Sequence, residues 1–437
     1  MTKPKLLFDA KPLLDNYVNN DFRSGIFFVA YNVLDLLYKQ EHFDISLVYL
    51  NKHCKQLSNF KADAFLGRFN FINFGYSNNI TYLKVLVNSY KNDFKQTKGI
   101  AKKISISFLI ARKSIKRIWF KLLNIKRSVV LNKQLKDFSL FFEPEWLVPS
   151  EINKKKHIKC FHILYDTIPI VLNYGEIFKY LKHIKMLNKE SNYFCISQSC
   201  KDDYLKYCGD RLDANKMFVT YIGPSQNYIP NYNKQELKFV LEKYKIEHKQ
   251  DDNYLFSLCS LEPRKNLPFT ITCFLKFIKK HNIQNLYFYL GGSICGVWKS
   301  FEPIMAKTLE EVGEFRDKIK LLGYIDDCDV NILYSNSLFF TFLSQYEGFG
   351  MPPLEAMQAG TPVVVSNNSS LPEVVGDAAI SVTYDDEQAI IKAFENFYFN
   401  EDLRKKYIAK GLERAKMFSW EKTVNKMTEV IMAEVLK

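Results

Sequence analysis

The chain contains no run of 18 apolar residues and so offers no segment of the kind that spans a membrane as a helix. Its nine cysteines are scattered without a C-x-x-C pair, which argues against a disulfide framework or structural zinc and for a reducing compartment. Cys160, Cys195 and Cys259 lie in apolar, strand-like stretches and read as core residues. The opening residues run directly into an apolar strand with no secretory h-region, so a cytoplasmic protein is expected. Internal repeats and low-complexity tracts are absent, apart from one stretch that is short of acid. Between Lys91 and Lys136, fourteen Lys or Arg stand against a single acid, Asp93, so almost all of the net charge of +14 lies there.

What is present reads as two α/β domains. At 437 residues, 47% apolar and 25% charged, the chain is too long for one ordinary core and has the balance of a globular protein. Strands are expected at 6–9, 45–50, 139–142, 157–164, 193–196 and 218–221, with helices at 25–38 and 198–206, the latter capped by Ser197. A polar connection follows Pro224, with a helix at 234–245, and the alternation restarts at 254–258. Alternating βα units imply a mostly parallel sheet in each half. The expected division is 1–228 and 229–418, with a final helix over 419–437.

The basic stretch has three readings. Ile104, Phe108, Ala111, Ile115, Ile118, Trp119, Leu122 and Ile125 recur at helical spacing, while Lys113, Lys116, Arg117 and Lys121 lie mainly opposite and Arg112 intrudes. A basic amphipathic helix with a Trp fits the surface of an anionic membrane. It also fits a helix packed on its apolar face with solvated charges, or a phosphate-binding nucleic-acid surface.

The most informative segment runs from Gln345 to Met357. Glu347 and Glu355, with seven positions between them, bracket the glycines Gly348 and Gly350 and the pair Pro352-Pro353, which is suited to open a helix. Small residues let backbone amides approach a ligand, and the positive helix end faces the same place. Gly360 then closes the short helix, and residues 361–366 read as a buried strand after the one at 338–343. The acidic loop thus sits at the carboxyl end of a strand in a βαβ unit, the edge where open α/β sheets bind ligands. Amides for an anion and carboxylates for hydroxyls suit a nucleotide sugar. Each acid alone would equally serve as a helix-end charge or a solvated loop residue.

This segment resembles the E-x7-E signature of retaining GT-B glycosyltransferases, in particular family 4, whose members use GDP-mannose or UDP-sugars. Leu261-Glu262-Pro263-Arg264-Lys265-Asn266-Leu267 is similar to that family's phosphate-binding element, as are the segments 322–327 and 370–379 to its other motifs, in the same order. The resemblance covers roughly residues 250–385 and points most closely to bacterial mannosyltransferases of surface polysaccharide synthesis. It implies two Rossmann-like domains facing across a cleft. By that resemblance Arg264 and Lys265 stabilise the leaving diphosphate, Glu347 contacts the donor sugar, and Glu355 accepts from the ribose. Ile325 lies against the base, and Gly348, Phe349, Gly350 and Met351 line the donor. Arg23-Ser24-Gly25-Ile26 resembles the first glycine loop, placing Gly25 near the donor phosphate. Asp166, in Tyr165-Asp166-Thr167, is the acceptor-side candidate; relatives often carry His where Tyr165 stands. The glycine usual before the phosphate element is replaced within Leu258-Cys259-Ser260. The last helix is expected to cross back onto the N-terminal domain, anchored by Trp420.

The resulting expectation is a retaining hexosyltransferase that needs no metal and no cofactor. It would move mannose from a GDP- or UDP-linked donor to a growing O-antigen, capsule or lipopolysaccharide glycan, on the cytoplasmic face of the inner membrane. Peripheral membrane contact through 91–136 is expected, and nucleic acid is not. The adjacent acids Asp326-Asp327 and Asp385-Asp386 read as surface or capping residues, and His162 and His183 as structural. The alternatives are a nucleotide-sugar epimerase of the same fold and a non-catalytic basic adaptor for membrane or nucleic acid. A dinucleotide dehydrogenase is rejected because Pro353 occupies the place of the third fingerprint glycine after Gly348 and Gly350.

Overall fold

The fold is described from a computed structural model over residues 3–19, 25–49, 61–73, 111, 114, 131–145, 152, 155–173, 175, 177–292 and 302–437. Most of the basic stretch 91–136 therefore lies outside the described residues, as do Arg23 and Ser24.

Two parallel sheets organise the chain. Strands β1 (Lys5–Asp9), β2 (Asp44–Tyr49), β3 (Asn70–Asn73), β4 (Leu140–Glu143), β5 (Lys159–Leu164), β6 (Asn192–Cys195) and β7 (Met217–Val219) form a seven-stranded sheet ordered β3-β2-β1-β4-β5-β6-β7. Strands β8 (Asn253–Leu258), β9 (Leu286–Gly291), β10 (Ile319–Gly323), β11 (Phe339–Phe342), β12 (Val363–Ser366) and β13 (Ile380–Val382) form a six-stranded sheet ordered β10-β9-β8-β11-β12-β13. The chain separates into two compact units, Met1–His162 with Thr428–Lys437, and Ile163–Met427.

Sequence explains why these segments are strands. Leu140-Phe141-Phe142-Glu143 and Val363-Val364-Val365-Ser366 are buried along their whole length, the continuous apolar runs that a sheet covered on both faces requires. The helix Leu267–Lys280 starts with Pro268 in its first turn and buries Leu267, Ile271, Phe274, Phe277 and Ile278, the i, i+4, i+7 face of a 3.6-residue period. That face joins Leu255, Phe288, Phe339 and Phe394 in the core of the second unit. The Phe339 and Phe394 rings lie 5.4 Å apart, and truncating either to Ala removes about 3–5 kcal/mol. The first unit has its own core, built on Leu7, Val48, Leu135, Phe141 and Ile158.

Strand order fixes where ligands are received. In each sheet the chain adds strands to one side, then returns to the other side of its first strand, which creates a switch point between β1 and β4 and between β8 and β11. Asp9 and Glu143 end the first pair; the loops bearing Arg264-Lys265 and Glu347 follow the second. In the helix Trp420–Val435, Trp420 Nε1 donates to Pro224 O at 2.8 Å and Thr428 Oγ1 donates to Gln40 Oε1 at 2.6 Å. Among the described residues no helix is long and apolar enough to cross a membrane. Cys195 is buried, while Cys160 and Cys259 are half-buried.

Candidate active site

The cations come from a one-turn 3-10 segment, Pro263–Lys265, which follows β8. Proline sets its first dihedral, and Asn266 closes it in the left-handed region (φ 56°) before the helix Leu267–Lys280 begins. Asn266 Nδ2 donates to Tyr384 O at 2.7 Å, which holds that strained residue in place. Where the usual glycine is missing, Cys259 N–H donates to Gly291 O at 3.1 Å and Ser260 Oγ donates to Glu262 Oε1 at 2.7 Å, so the turn is carried by these bonds.

Arg264, Lys265 and Glu347 meet in one buried cluster. Glu347 Oε1 accepts from Arg264 Nη1 at 2.7 Å and from Lys265 Nζ at 2.6 Å. Arg264 Nη2 reaches Glu262 Oε1 at 2.8 Å, and Nη1 also donates to Tyr346 O at 2.8 Å. Lys265 Nζ lies 4.8 Å from the centre of the Phe342 ring, a cation–π contact on the apolar side. Burial alone would raise the Glu347 carboxyl, but the charges and hydrogen bonds of Arg264 and Lys265 outweigh it and hold its pKa at about 2. The loop backbone is equally fixed. Glu347 N–H donates to Ser369 Oγ at 3.0 Å, and Ser370 Oγ donates to Glu347 O and Phe349 O at 3.0 and 2.7 Å.

Gly348 and Gly350 are required sterically. A Cβ at Gly348 would lie 2.7 Å from Asp166 Cβ, so the loop passes against the Asp166 side chain only because that atom is missing. Gly350, at φ 112°, is the N-cap of the helix Met351–Gln358 and abuts Leu371. Asp166 is thereby brought to the acidic loop, and its Oδ1 accepts from Ile168 N at 3.1 Å. Its pKa is raised by burial, with Arg264 pulling down and Glu347 pushing up.

Glu355 is buried in the same helix and is held by neutral partners. Its Oε1 accepts from Ser225 N at 3.2 Å and from Ser225 Oγ, and its Oε2 from Tyr334 OH at 3.3 Å. Burial raises its pKa despite those bonds. Ile325 is buried over Gly291 and Leu258 at the ends of β9 and β8. Phe349 packs against Tyr221 and Phe418, and Met351 begins the helix. Gly25 opens the helix Gly25–Lys39 in the other compact unit.

Asp326, read as a surface or capping residue, is exposed: it holds the N-cap position of the helix Asp327–Ser335, and its carboxylate pairs with Lys243 Nζ at 2.6 Å without capping. Asp386 does cap, accepting from Ala389 N at 3.0 Å. Asp327-Cys328-Asp329 is a D-x-D triplet, and Asp329 is committed to Lys243 Nζ at 2.5 Å and Tyr244 OH at 2.8 Å. Among the described residues no group of three or more His, Cys, Asp or Glu is placed to hold a metal ion. His162 and His183 are buried, the latter against the Tyr204 ring. Nothing local in the sequence marks Ser225, Tyr334 or Asp203 as partners of these loops, because each reaches its partner across 21 to 143 positions of chain, whereas Glu373 lies within the motif segment 370–379.

Residues 241–414 match the family model described as Glycosyl transferases group 1. The chain is 34% identical over 208 residues to O-antigen chain mannosyltransferase B of Escherichia coli, covering 48% of this chain and 52% of that one. It is 27% identical over 246 residues to the serotype-specific mannosyltransferase WbdA of Escherichia coli, covering 56% of this chain and 29% of that one. The alignments thus span about half, or less, of those relatives' length. The structure of Anabaena Alr3699/HepE in complex with UDP and glucose superposes with a TM-score of 0.63 at 13% identity, covering 98% of this chain and 100% of that one. The chain therefore has the GT-B fold, and its residues 241–414 are similar to the glycosyl transferases group 1 family.

Proposed function

We propose that this protein is a metal-independent, retaining glycosyltransferase that moves a hexose, mannose in the first instance, from a nucleotide-diphosphate donor to a growing bacterial surface glycan. The observation that carries the reading is the buried convergence of Arg264, Lys265 and Glu347 at the β8/β11 switch point. The names of the mannosyltransferase relatives and the UDP-bound structural neighbour support it.

In the proposed reaction Arg264 and Lys265 turn from Glu347 to the diphosphate and stabilise charge as the anomeric C–O bond breaks. Such preorganised charge acts strongly where water is excluded. Glu347 then holds the sugar hydroxyls beside the developing positive charge on the ring, and Glu355 holds the ribose hydroxyls. Asp166, with its raised pKa, sits where an acceptor hydroxyl would approach Gly348. We assign the donor side to 229–418 and the acceptor side to 1–228, with the final helix returning to the latter.

Peripheral contact with an anionic membrane, on the cytoplasmic face, is part of the proposal. The basic stretch 91–136 supports it, as does the helix Ile177–Met186, which exposes Phe178 (85%) beside exposed Lys179, Lys182 and Lys185. A thermal-shift screen against GDP, UDP, GDP-mannose and UDP-glucose tests the donor class: one nucleotide series should raise Tm selectively. No shift with any of them, in protein shown to be folded, would contradict the proposal. Release of free nucleotide only when an acceptor glycan is supplied separates transfer from epimerisation.

A further inference from the structure

The Asp203 carboxylate has no part in the mechanism above, yet one of its oxygens ties together the two loops that do. Oδ2 accepts from Thr167 Oγ1 at 2.7 Å and from Tyr346 OH at 2.8 Å. Thr167 follows Asp166, and Tyr346 precedes Glu347, so a single oxygen joins the chain neighbours of both candidate acids. The tether extends to the cations, because Tyr346 O accepts from Arg264 Nη1. Burial raises the Tyr346 phenol pKa, which keeps it a neutral donor.

The helix that presents Asp203, Gln198–Cys208, is fixed to the same region twice more. Its N-cap Ser197 donates from Oγ to Gly348 O at 2.7 Å, while accepting from Cys200 N at 3.0 Å. Glu373 accepts from Gln198 N and Ser199 N at 2.7 and 2.9 Å, so a carboxylate from beyond the acidic loop neutralises the positive end of the helix. Three separate contacts thus lock one helix onto residues 346–348 and 373. Two hydrogen bonds to one carboxylate oxygen are charge-assisted and directional, which suits positioning more than bulk stability.

We infer that Asp203 is a positioning residue that sets the spacing between Asp166 and Glu347. It makes the placement of the acceptor side of the site depend on the donor side. Its kinetic consequence rests on the glycosyltransferase reading; its structural consequence does not.

Two substitutions separate positioning from charge and from folding. Asp203→Asn keeps an oxygen that accepts both hydroxyls, whereas Asp203→Leu has similar size and accepts neither. Full-length parent and variants are compared in transfer from GDP-mannose and from UDP-glucose to methyl α-mannoside, in GDP and UDP binding, and in hydrogen exchange over residues 344–350. Asp203→Asn should stay within roughly threefold of the parent kcat, and Asp203→Leu should fall about 10–100-fold with nucleotide Kd within roughly twofold. Exchange over 344–350 should accelerate in the Leu variant only. Parental kcat and exchange in Asp203→Leu, or an equal loss in both variants, would overturn the inference. If the parent turns over neither donor, the proposed function fails, and the exchange comparison alone decides the role of Asp203.

Discussion

Both sheets place buried acids at their switch points, but surround them differently. At β8/β11, Glu347 has two cations within 2.7 Å and its pKa falls to about 2. At β1/β4, Asp9 and Glu143 are buried side by side and hydrogen-bonded to each other. Burial raises both, Glu143 most, with Asp9 adding to the rise. The nearest cation, Lys11, is ion-paired with Glu145. Similar burial therefore goes with opposite shifts of the carboxyls, because the neighbours differ. A carboxylate beside two cations marks a site prepared for phosphate; an acid pair whose nearest lysine is engaged elsewhere does not.

The largest expected effect breaks the charged side of this comparison. Lys265→Ala should lower kcat by about 10²–10³ and, by leaving Glu347 with one cation fewer, lower stability by up to about 3–5 kcal/mol in urea titrations. Next comes Gly348→Ala. The added methyl must displace Asp166, so a loss of about 1–3 kcal/mol and a fall in transfer rate are expected.

A third pair of variants sharpens the contrast through pH. The Glu347 pKa is lower folded than unfolded, so its stabilisation is present above about pH 4.5 and is lost as pH falls toward about 2. Glu143 is the reverse. Its raised folded pKa gives stabilisation that is present below about pH 4.5 and is lost as pH rises through the folded value. Thermal melts across pH should show Glu347→Gln flattening the acid limb and Glu143→Gln flattening the opposite limb. Matching changes in both would erase the distinction between the two switch points. The smallest effect is Trp420→Phe, which removes the bond to Pro224 O and should cost about 1 kcal/mol.

Much of the fold was legible because its signals are local. Ser197 reads as a cap from its place before 198–206, and it caps the helix Gln198–Cys208. Proline and glycine around residues 350–360 mark the helix Met351–Gln358 and the strand β12 that follows. Strands β3, β9, β10 and β13 went unread, because three to six apolar residues look alike in a strand and in a buried helix turn. The site divides along the same line. Arg264, Lys265, Glu347 and Glu355 lie in short motifs with turn chemistry of their own. Ser225, Tyr334 and Asp203 are ordinary polar residues whose meaning comes from partners 21 to 143 positions away, and only the fold supplies those.

If Arg264 and Lys265 release Glu347 to take a diphosphate, nucleotide binding must depend on both cations. Calorimetric titration of GDP and UDP into the parent and into the Arg264→Ala/Lys265→Ala double variant measures that dependence. The parent should bind one of the two nucleotides, and the folded double variant should bind it at least about 100-fold more weakly. Equal affinity in both proteins would mean that the two cations do not receive the diphosphate.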